Sequence, residues 1–311
     1  MDKIAILIPC YNEEITIKKV VEDFKREVPE ATIYVYDNNS TDNTATLAKE
    51  AGAVVVPEYK QGKGNVLRSM FRDIDAECYI MVDGDDTYPA EEVRKLIDPI
   101  LTGRVHHTIG DRLSSTYFTE NKRPFHNAGN KLLKYLINTI FHANIHDLTS
   151  GYRGFSYLFA KSYPILSTGF EIETEMTVFA LDKRMDIVEE VIQYRDRPEG
   201  SESKLNTFKD GFKVICEIFS LFKDIKPLTF FGIIAIVLFL IGLGGFVSVY
   251  SEFLKTGLVP RIPTLIMSVS VGFMSILSFV CGLLLHTTKK FLNQIFELRM
   301  NEILTQFRKL K

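Results

Sequence analysis

Tryptophan is missing altogether from this 311-residue chain, so no site in it can rest on an indole. Cysteine is scarce. Cys10, Cys78, Cys216 and Cys281 show no paired spacing, which gives no disulfide framework and reads as reduced, buried, small apolar residues. An excess of one charge is also lacking: 37 Lys and Arg face 39 Asp and Glu, for a net charge of -2, and this leaves no footprint for a nucleic-acid partner. No internal repeat and no low-complexity linker interrupts the chain. No secretory signal leads it, because Met1-Asp2-Lys3 runs straight into a strand-like segment. His142 and His146 are four apart and suit one helix face, but no further ligand cluster accompanies them.

The most telling absence is of charge within two stretches, Leu228–Tyr250 and Thr264–Leu285. Each is longer than the about 20 residues with which a helix crosses about 30 Å of hydrocarbon. The loop between them, Ser251–Pro263, holds Glu252, Lys255 and Arg261. The outer flanks are more basic, with Lys213, Lys223 and Lys226 before the first stretch and Lys289, Lys290 and Arg299 after the second. The positive-inside rule then places both termini and the N-terminal domain in the cytoplasm.

The first two hundred residues read as a soluble α/β domain. Strand-like runs at Lys3–Pro9, Ala31–Tyr36, Ala53–Val56 and Glu77–Val82 alternate with helical spacing at Glu13–Val28, Thr41–Ala51 and Gly64–Ile74. This alternation predicts a parallel sheet with helices on both faces. Further on, Phe208, Phe212, Ile215, Phe219 and Phe222 recur at helical spacing between Lys204, Lys209, Lys213 and Lys223, which predicts an amphipathic helix lying in the headgroup plane or packed on the soluble domain. Arg123–Phe141 mixes basic and apolar residues and suits core, interface or both. The tail, Thr287–Lys311, suits an amphipathic helix along the membrane or in an oligomer. The expected organisation is a catalytic domain over 1–203, a juxtamembrane helix over 204–226, two spans within 227–286 and a C-terminal helix over 287–311.

Each strand end carries polar punctuation. Pro9-Cys10-Tyr11-Asn12-Glu13-Glu14 follows the first, Asp37-Asn38-Asn39-Ser40-Thr41-Asp42 the second, Gln61-Gly62-Lys63-Gly64-Asn65 the third and Asp83-Gly84-Asp85 the fourth. In a parallel sheet these ends share one rim, where open α/β sheets bind ligands. Asp83 and Asp85 read either as an acidic turn or as a pair that holds Mg²⁺ or Mn²⁺ against phosphate oxygens. Asp86 adds acidity. Lys63 can neutralise phosphate, although its Gly-Lys-Gly setting lacks P-loop spacing.

IPCYNEE (Ile8–Glu14), YDNNSTDNT (Tyr36–Thr44), QGKGNV (Gln61–Val66), DGDDTYP (Asp83–Pro89), GDR (Gly110–Arg112), DLTSGYRGF (Asp147–Phe155) and RPEGSESKL (Arg197–Leu205) together resemble the inverting glycosyltransferases of family 2. The nearer resemblance is to the polyprenyl-phosphate glycosyltransferases related to dolichyl-phosphate mannose synthase. It implies a GT-A (Rossmann-like) domain followed by a transmembrane hairpin, a nucleotide sugar bound by Pro9, Tyr11, Glu13, Asp37, Lys63 and Asp83, and Mg²⁺ or Mn²⁺ held by Asp83 and Asp85. It also implies a polyprenyl phosphate at Arg112, Arg123, Asn127, Arg197 and Lys204, and Asp147 as weak base or orienter. Glu171 and Glu173 are expected on the acceptor side, near sugar hydroxyls. Three departures from the family pattern stand out: Thr87 where relatives carry Gln, Asn38-Asn39 where they carry Asp-Gly, and one extra residue in the Arg197–Leu205 loop.

The expected activity moves one sugar from a nucleotide sugar, UDP-glucose or UDP-N-acetylglucosamine before GDP-mannose, onto a polyprenyl phosphate at the cytoplasmic membrane face. The alternatives are a GDP-mannose-dependent mannose synthase and a non-catalytic, membrane-tethered nucleotide-sugar-binding protein. Processive polysaccharide synthases carry Gln-x-x-Arg-Trp, which a chain without tryptophan cannot supply. Homo-oligomers are common among anchored enzymes of this kind, but no sequence feature proves one here.

Overall fold

A computed structural model describes residues 1–114, 126–166, 172–195, 198, 220 and 222–311, with 126–131 described as backbone only. Arg123, Glu171, Arg197 and Lys204 lie outside the described residues, as does most of the Phe208–Phe222 stretch.

The first four strands form where the apolar runs predict them: β1 (Asp2–Cys10), β2 (Thr32–Asp37), β3 (Val54–Pro57) and β4 (Ala76–Met81). Ile4 to Ile8 have no exposure, as expected of a central strand covered on both faces. Helix α1 (Ile17–Glu27) turns Ile17, Val20, Val21 and Phe24 onto the sheet, the stripe that a 3.6-residue period requires. Burying each such side chain stabilises the fold by roughly 1.5–3 kcal/mol. Helices α2 (Thr44–Glu50), α3 (Lys63–Asp73) and α4 (Val93–Leu101) follow.

Beyond β4 the chain departs from the purely parallel expectation. The sheet has seven strands in the order β3-β2-β1-β4-β6-β5-β7, including β5 (His107–Asp111), β6 (Arg153–Ser156) and β7 (Ile187–Val191). β6 runs antiparallel to both β4 and β5, pairing Arg153 with Met81 on one side and Ile109 on the other. All other pairings are parallel. Reversing one strand changes which loop reaches the rim. The segment that precedes β6, rather than the one that follows it, lies beside the ends of β1, β2, β4 and β5.

The chain divides into two compact units, one of residues 1–211 with 299–311 and one of residues 212–298. In the second, the helices Pro227–Thr256 and Ile262–Leu310 are long and apolar enough to cross a membrane. They meet through small residues: Ser275 Oγ donates to the Ala235 carbonyl at 2.8 Å and Ser278 Oγ to the Phe231 carbonyl at 3.0 Å. The second stretch and the tail are one continuous helix of 49 residues rather than two elements. Its last turns belong to the first unit, where the Phe307 and Tyr157 rings stack with centroids 4.9 Å apart and Lys311 pairs with Glu77 at 2.8 Å. Cys10 and Cys78 are buried as expected, whereas Cys281 is exposed on the long helix.

Candidate active site

One side of the candidate site is built from the ends of β1 to β4. Asp37 closes β2; its Oδ2 accepts from Ser40 N at 3.3 Å, while its Oδ1 is buried and meets no partner among the described residues. A buried carboxylate oxygen left open costs free energy unless a ligand completes it. Pro9 pairs with Tyr36 along β1. Tyr11 is exposed at the rim. The Glu13 carbonyl accepts from Thr16 N and Ile17 N, which anchors the start of α1.

Asn38 and Asn39 do not stand in for a missing carboxylate facing a ligand. Asn38 is buried. Its Nδ2 donates to the Glu58 and Lys60 carbonyls at 2.9 and 2.8 Å, and its Oδ1 accepts from Gly62 N at 2.7 Å. Asn39 Nδ2 donates to the Tyr59 carbonyl. The pair therefore fastens the loop that presents Lys63. Gly62, at φ 123°, occupies backbone space that a side chain disfavours and sets Lys63 at the first position of α3.

Lys63 Nζ lies 2.6 Å from both Asp83 Oδ1 and Glu173 Oε1. Glu173 opens the Ile172–Asp182 helix and is buried, so the structure groups it with Lys63 and Asp83 rather than with Arg112 and Asp147, the side where the sequence reading expected it. Two carboxylates hold the Lys63 ammonium well above its ordinary range, outweighing the opposite effect of burial. Asp85 is also buried, and its Oδ1 accepts from Thr87 Oγ1 at 2.6 Å and Thr87 N at 3.3 Å. At the position where relatives carry Gln, a hydroxyl thus orients the second aspartate. Asp86 turns away at φ 59°, and Lys19 neutralises it with two contacts of 2.7 Å; it does not add charge to the Asp83 and Asp85 pair.

The other side comes from the end of β5 and the loop before β6. Arg112 Nε donates to Asp147 Oδ2 at 3.0 Å, Nη1 to the Tyr88 hydroxyl at 3.2 Å and Nη2 to the Thr149 carbonyl and Oγ1, both at 2.9 Å. Asp147 has no exposure, and its Oδ1 accepts from Thr149 N and Oγ1. With both oxygens engaged, Asp147 anchors Arg112. Glu189 on β7 accepts from the backbone N–H groups of His146 and Asp147 and contacts His146 Nδ1 at 2.9 Å. His142 sits at φ 53° beyond the helix that ends at Phe141, so the two histidines do not share a helix face.

The two sides touch through Tyr88 and Gly151. The Tyr88 hydroxyl accepts from Gly151 N at 2.9 Å as well as from Arg112. A Cβ on Gly151 would come within 2.2 Å of Asp83 Oδ2, so glycine lets the loop before β6 approach the Asp83 loop this closely. Tyr88, Thr149 and Glu189 escaped the sequence reading because their roles depend on direction; the DGDDTYP and DLTSGYRGF motifs that contain two of them were the available signal. Asn127 lies on the helix His126–Phe141.

No cluster of three or more His, Cys, Asp or Glu side chains suited to a metal occurs among the described residues. Asp83 and Asp85 offer hard carboxylate oxygens of the kind that Mg²⁺ and Mn²⁺ favour, and would hold such an ion together with substrate phosphate.

Residues 5–162 match the family model of glycosyl transferase family 2. The chain is 35% identical over 244 residues to glycosyltransferase AglJ of Haloferax volcanii, covering 78% of this chain and 80% of that one. A dolichyl-phosphate hexose transferase of the same organism is 29% identical over 211 residues, 68% of this chain and 90% of the relative. Among solved structures, glucosyl-3-phosphoglycerate synthase from Mycobacterium tuberculosis, crystallised with Mn²⁺, UDP-glucose and phosphoglyceric acid, superposes with a TM-score of 0.56 at 23% identity over 71% of this chain and 79% of its own. With its mixed sheet and its rim of strand-end carboxylates, the chain is a glycosyltransferase of family 2 with the GT-A fold.

Proposed function

We propose that this enzyme transfers a single hexose or N-acetylhexosamine from a UDP-sugar, UDP-glucose or UDP-N-acetylglucosamine, to a polyprenyl phosphate at the cytoplasmic membrane face, with inversion. The observation that carries this reading is the meeting, on one rim, of a carboxylate and lysine set (Asp37, Lys63, Asp83, Asp85) with a guanidinium set in place by a fully buried carboxylate (Arg112 on Asp147). The first set suits a nucleoside diphosphate, with the open Asp37 Oδ1 available to the nucleoside and Pro9, Tyr11 and Glu13 beside it. The second suits a phosphate monoester, which guanidinium groups bind through charge-assisted bonds. Arg123, Asn127, Arg197 and Lys204 would complete the acceptor site.

A phosphate monoester has a second pKa of about 6 and is largely ionised at neutral pH. Its oxygen attacks the anomeric carbon as the bond to the diphosphate breaks, so no strong base is required and Asp147 orients Arg112. Lys63 neutralises charge on the departing diphosphate. Asp83 and Asp85 would hold a divalent ion, which when bound would add electrostatic stabilisation of that leaving group.

The two long apolar helices would span the bilayer, with the basic flanks in the cytoplasm. Relatives named for dolichyl-phosphate acceptors, including a UDP-N-acetylglucosamine–dolichyl-phosphate N-acetylglucosaminyltransferase of Methanococcus voltae, support the lipid acceptor and the UDP-sugar donor. The test is a donor panel with purified enzyme, Mg²⁺ or Mn²⁺ and undecaprenyl or dolichyl phosphate, read by mass spectrometry of the lipid. A single added hexose or N-acetylhexosamine is expected. Absence of product from every donor would sink the proposal. Asp85→Ala should abolish transfer and keep the wild-type circular dichroism spectrum.

A further inference from the structure

Contact with the donor does not account for the whole environment of Lys63. Its side chain is only 9% exposed, and its ammonium lies 2.6 Å from Asp83 Oδ1 and 2.6 Å from Glu173 Oε1, a carboxylate that is itself 5% exposed. The three groups carry one net negative charge. Asp83 is also the carboxylate assigned above to the metal. An ammonium and a divalent ion on the same carboxylate neutralise the same charge, and in a poorly solvated pocket they repel strongly across a few ångströms. Glu173 offers the ammonium a second seat fixed by the fold. Its carbonyl accepts from Thr177 Oγ1 at 3.2 Å, and that hydroxyl accepts from the buried Arg153 at 2.8 Å.

We propose that Lys63 is an internal counter-cation that holds Asp83 in the metal-free enzyme and is drawn onto Glu173 when metal loads, which makes Glu173 a positioning residue for metal binding. The inference rests on the reading of Asp83 as a metal carboxylate. Metal loading then has a built-in competitor, and the ammonium vacates Asp83 just as a diphosphate arrives to be neutralised.

The test uses the full-length protein in detergent, without donor, and the electron paramagnetic resonance signal of free Mn²⁺. Lys63→Met removes the competitor and should tighten Mn²⁺ binding on the order of tenfold, while Glu173→Gln leaves the ammonium on Asp83 alone and should weaken it by a similar factor, within the range for members of one ion-pair network. The double variant Lys63→Met, Glu173→Gln separates positioning from plain charge: with the ammonium gone, the second substitution should change Mn²⁺ affinity much less than it does alone. Unchanged or weaker Mn²⁺ binding in Lys63→Met, or a Glu173→Gln effect as large in the Lys63→Met background as alone, would overturn the proposal. Neither measurement involves sugar transfer, so an enzyme that fails the donor panel and passes here loses only the substrate assignment.

Discussion

Asn38 occupies a position where the family carries a carboxylate, yet it acts as a donor. Two carbonyls and one backbone N–H converge on its amide, and only an amide satisfies all three. Asn38→Asp would leave the Glu58 and Lys60 carbonyls, both partly buried at these bonds, facing an anion, at a cost of up to about 1–3 kcal/mol for each lost partner. The variant should melt at lower temperature and, with the Lys63 loop loosened, show a donor KM raised about tenfold or more. Thermal melts and initial rates over a donor series check this, and a wild-type donor KM would refute it. The residues that meet at the candidate site could be named from the sequence: Asp37, Lys63, Asp83 and Asp85 follow predicted strands, and Arg112 and Asp147 stand in motifs that the family resemblance singles out. What was not legible was direction: that Asn38 points into the loop, that Asp86 leaves the site for Lys19, and that Glu173 joins Lys63 across 110 positions of chain.

At the scale of elements, β1 to β4 were readable because each is an apolar run followed by a helical stretch. β6 was not. It is only Arg153-Gly-Phe-Ser156, and its antiparallel direction is set by its neighbours. Its first residue is an arginine with no exposure, which sequence rules place on the surface. Burial is tolerated because Arg153 donates to the Ser150 and Leu148 carbonyls at 2.6 and 2.7 Å, to Thr177 Oγ1, and to His107 Nε2 at 3.2 Å. It ties the Asp147 loop to the helix that carries Glu173. His107 also stacks on Phe155. Burial, then the adjacent guanidinium, holds its imidazole well below the ordinary 6.5, so the folded chain keeps it neutral where the unfolded chain protonates. Below pH 6.5 the unfolded state binds more protons, and stability falls with falling pH by up to about 1.4 kcal/mol per unit from this group. His107→Gln keeps an acceptor for Arg153 and removes the titration. Its melting temperature should therefore decline less steeply than that of the wild type between pH 7 and pH 5, and equal slopes would contradict the assignment.

For the whole molecule, the charge asymmetry around the two long helices predicts that the Gly257–Arg261 turn lies on the side of the membrane opposite the catalytic unit. Leu258, which is exposed, is suited to report this. In intact cells, Leu258→Cys should react with a membrane-impermeant maleimide, in a background where Cys281 is replaced by Ser. Labelling that appears only after lysis would invert the topology. The sheet order has a further consequence, in time rather than in space. β6 lies between β4 and β5 although it follows both in the chain. While the protein is being synthesised, β1 to β4 can assemble as soon as they emerge, so the half that carries Asp37, Lys63 and Asp83 precedes the half that carries Arg112 and Asp147. The outer edge of β4, with Tyr79, Ile80 and Met81, stays unpaired until Arg153–Ser156 leaves the ribosome. An open apolar strand edge is a template for wrong partners. A nascent chain halted before residue 153 should therefore be a chaperone client, and one extended past residue 162 should not.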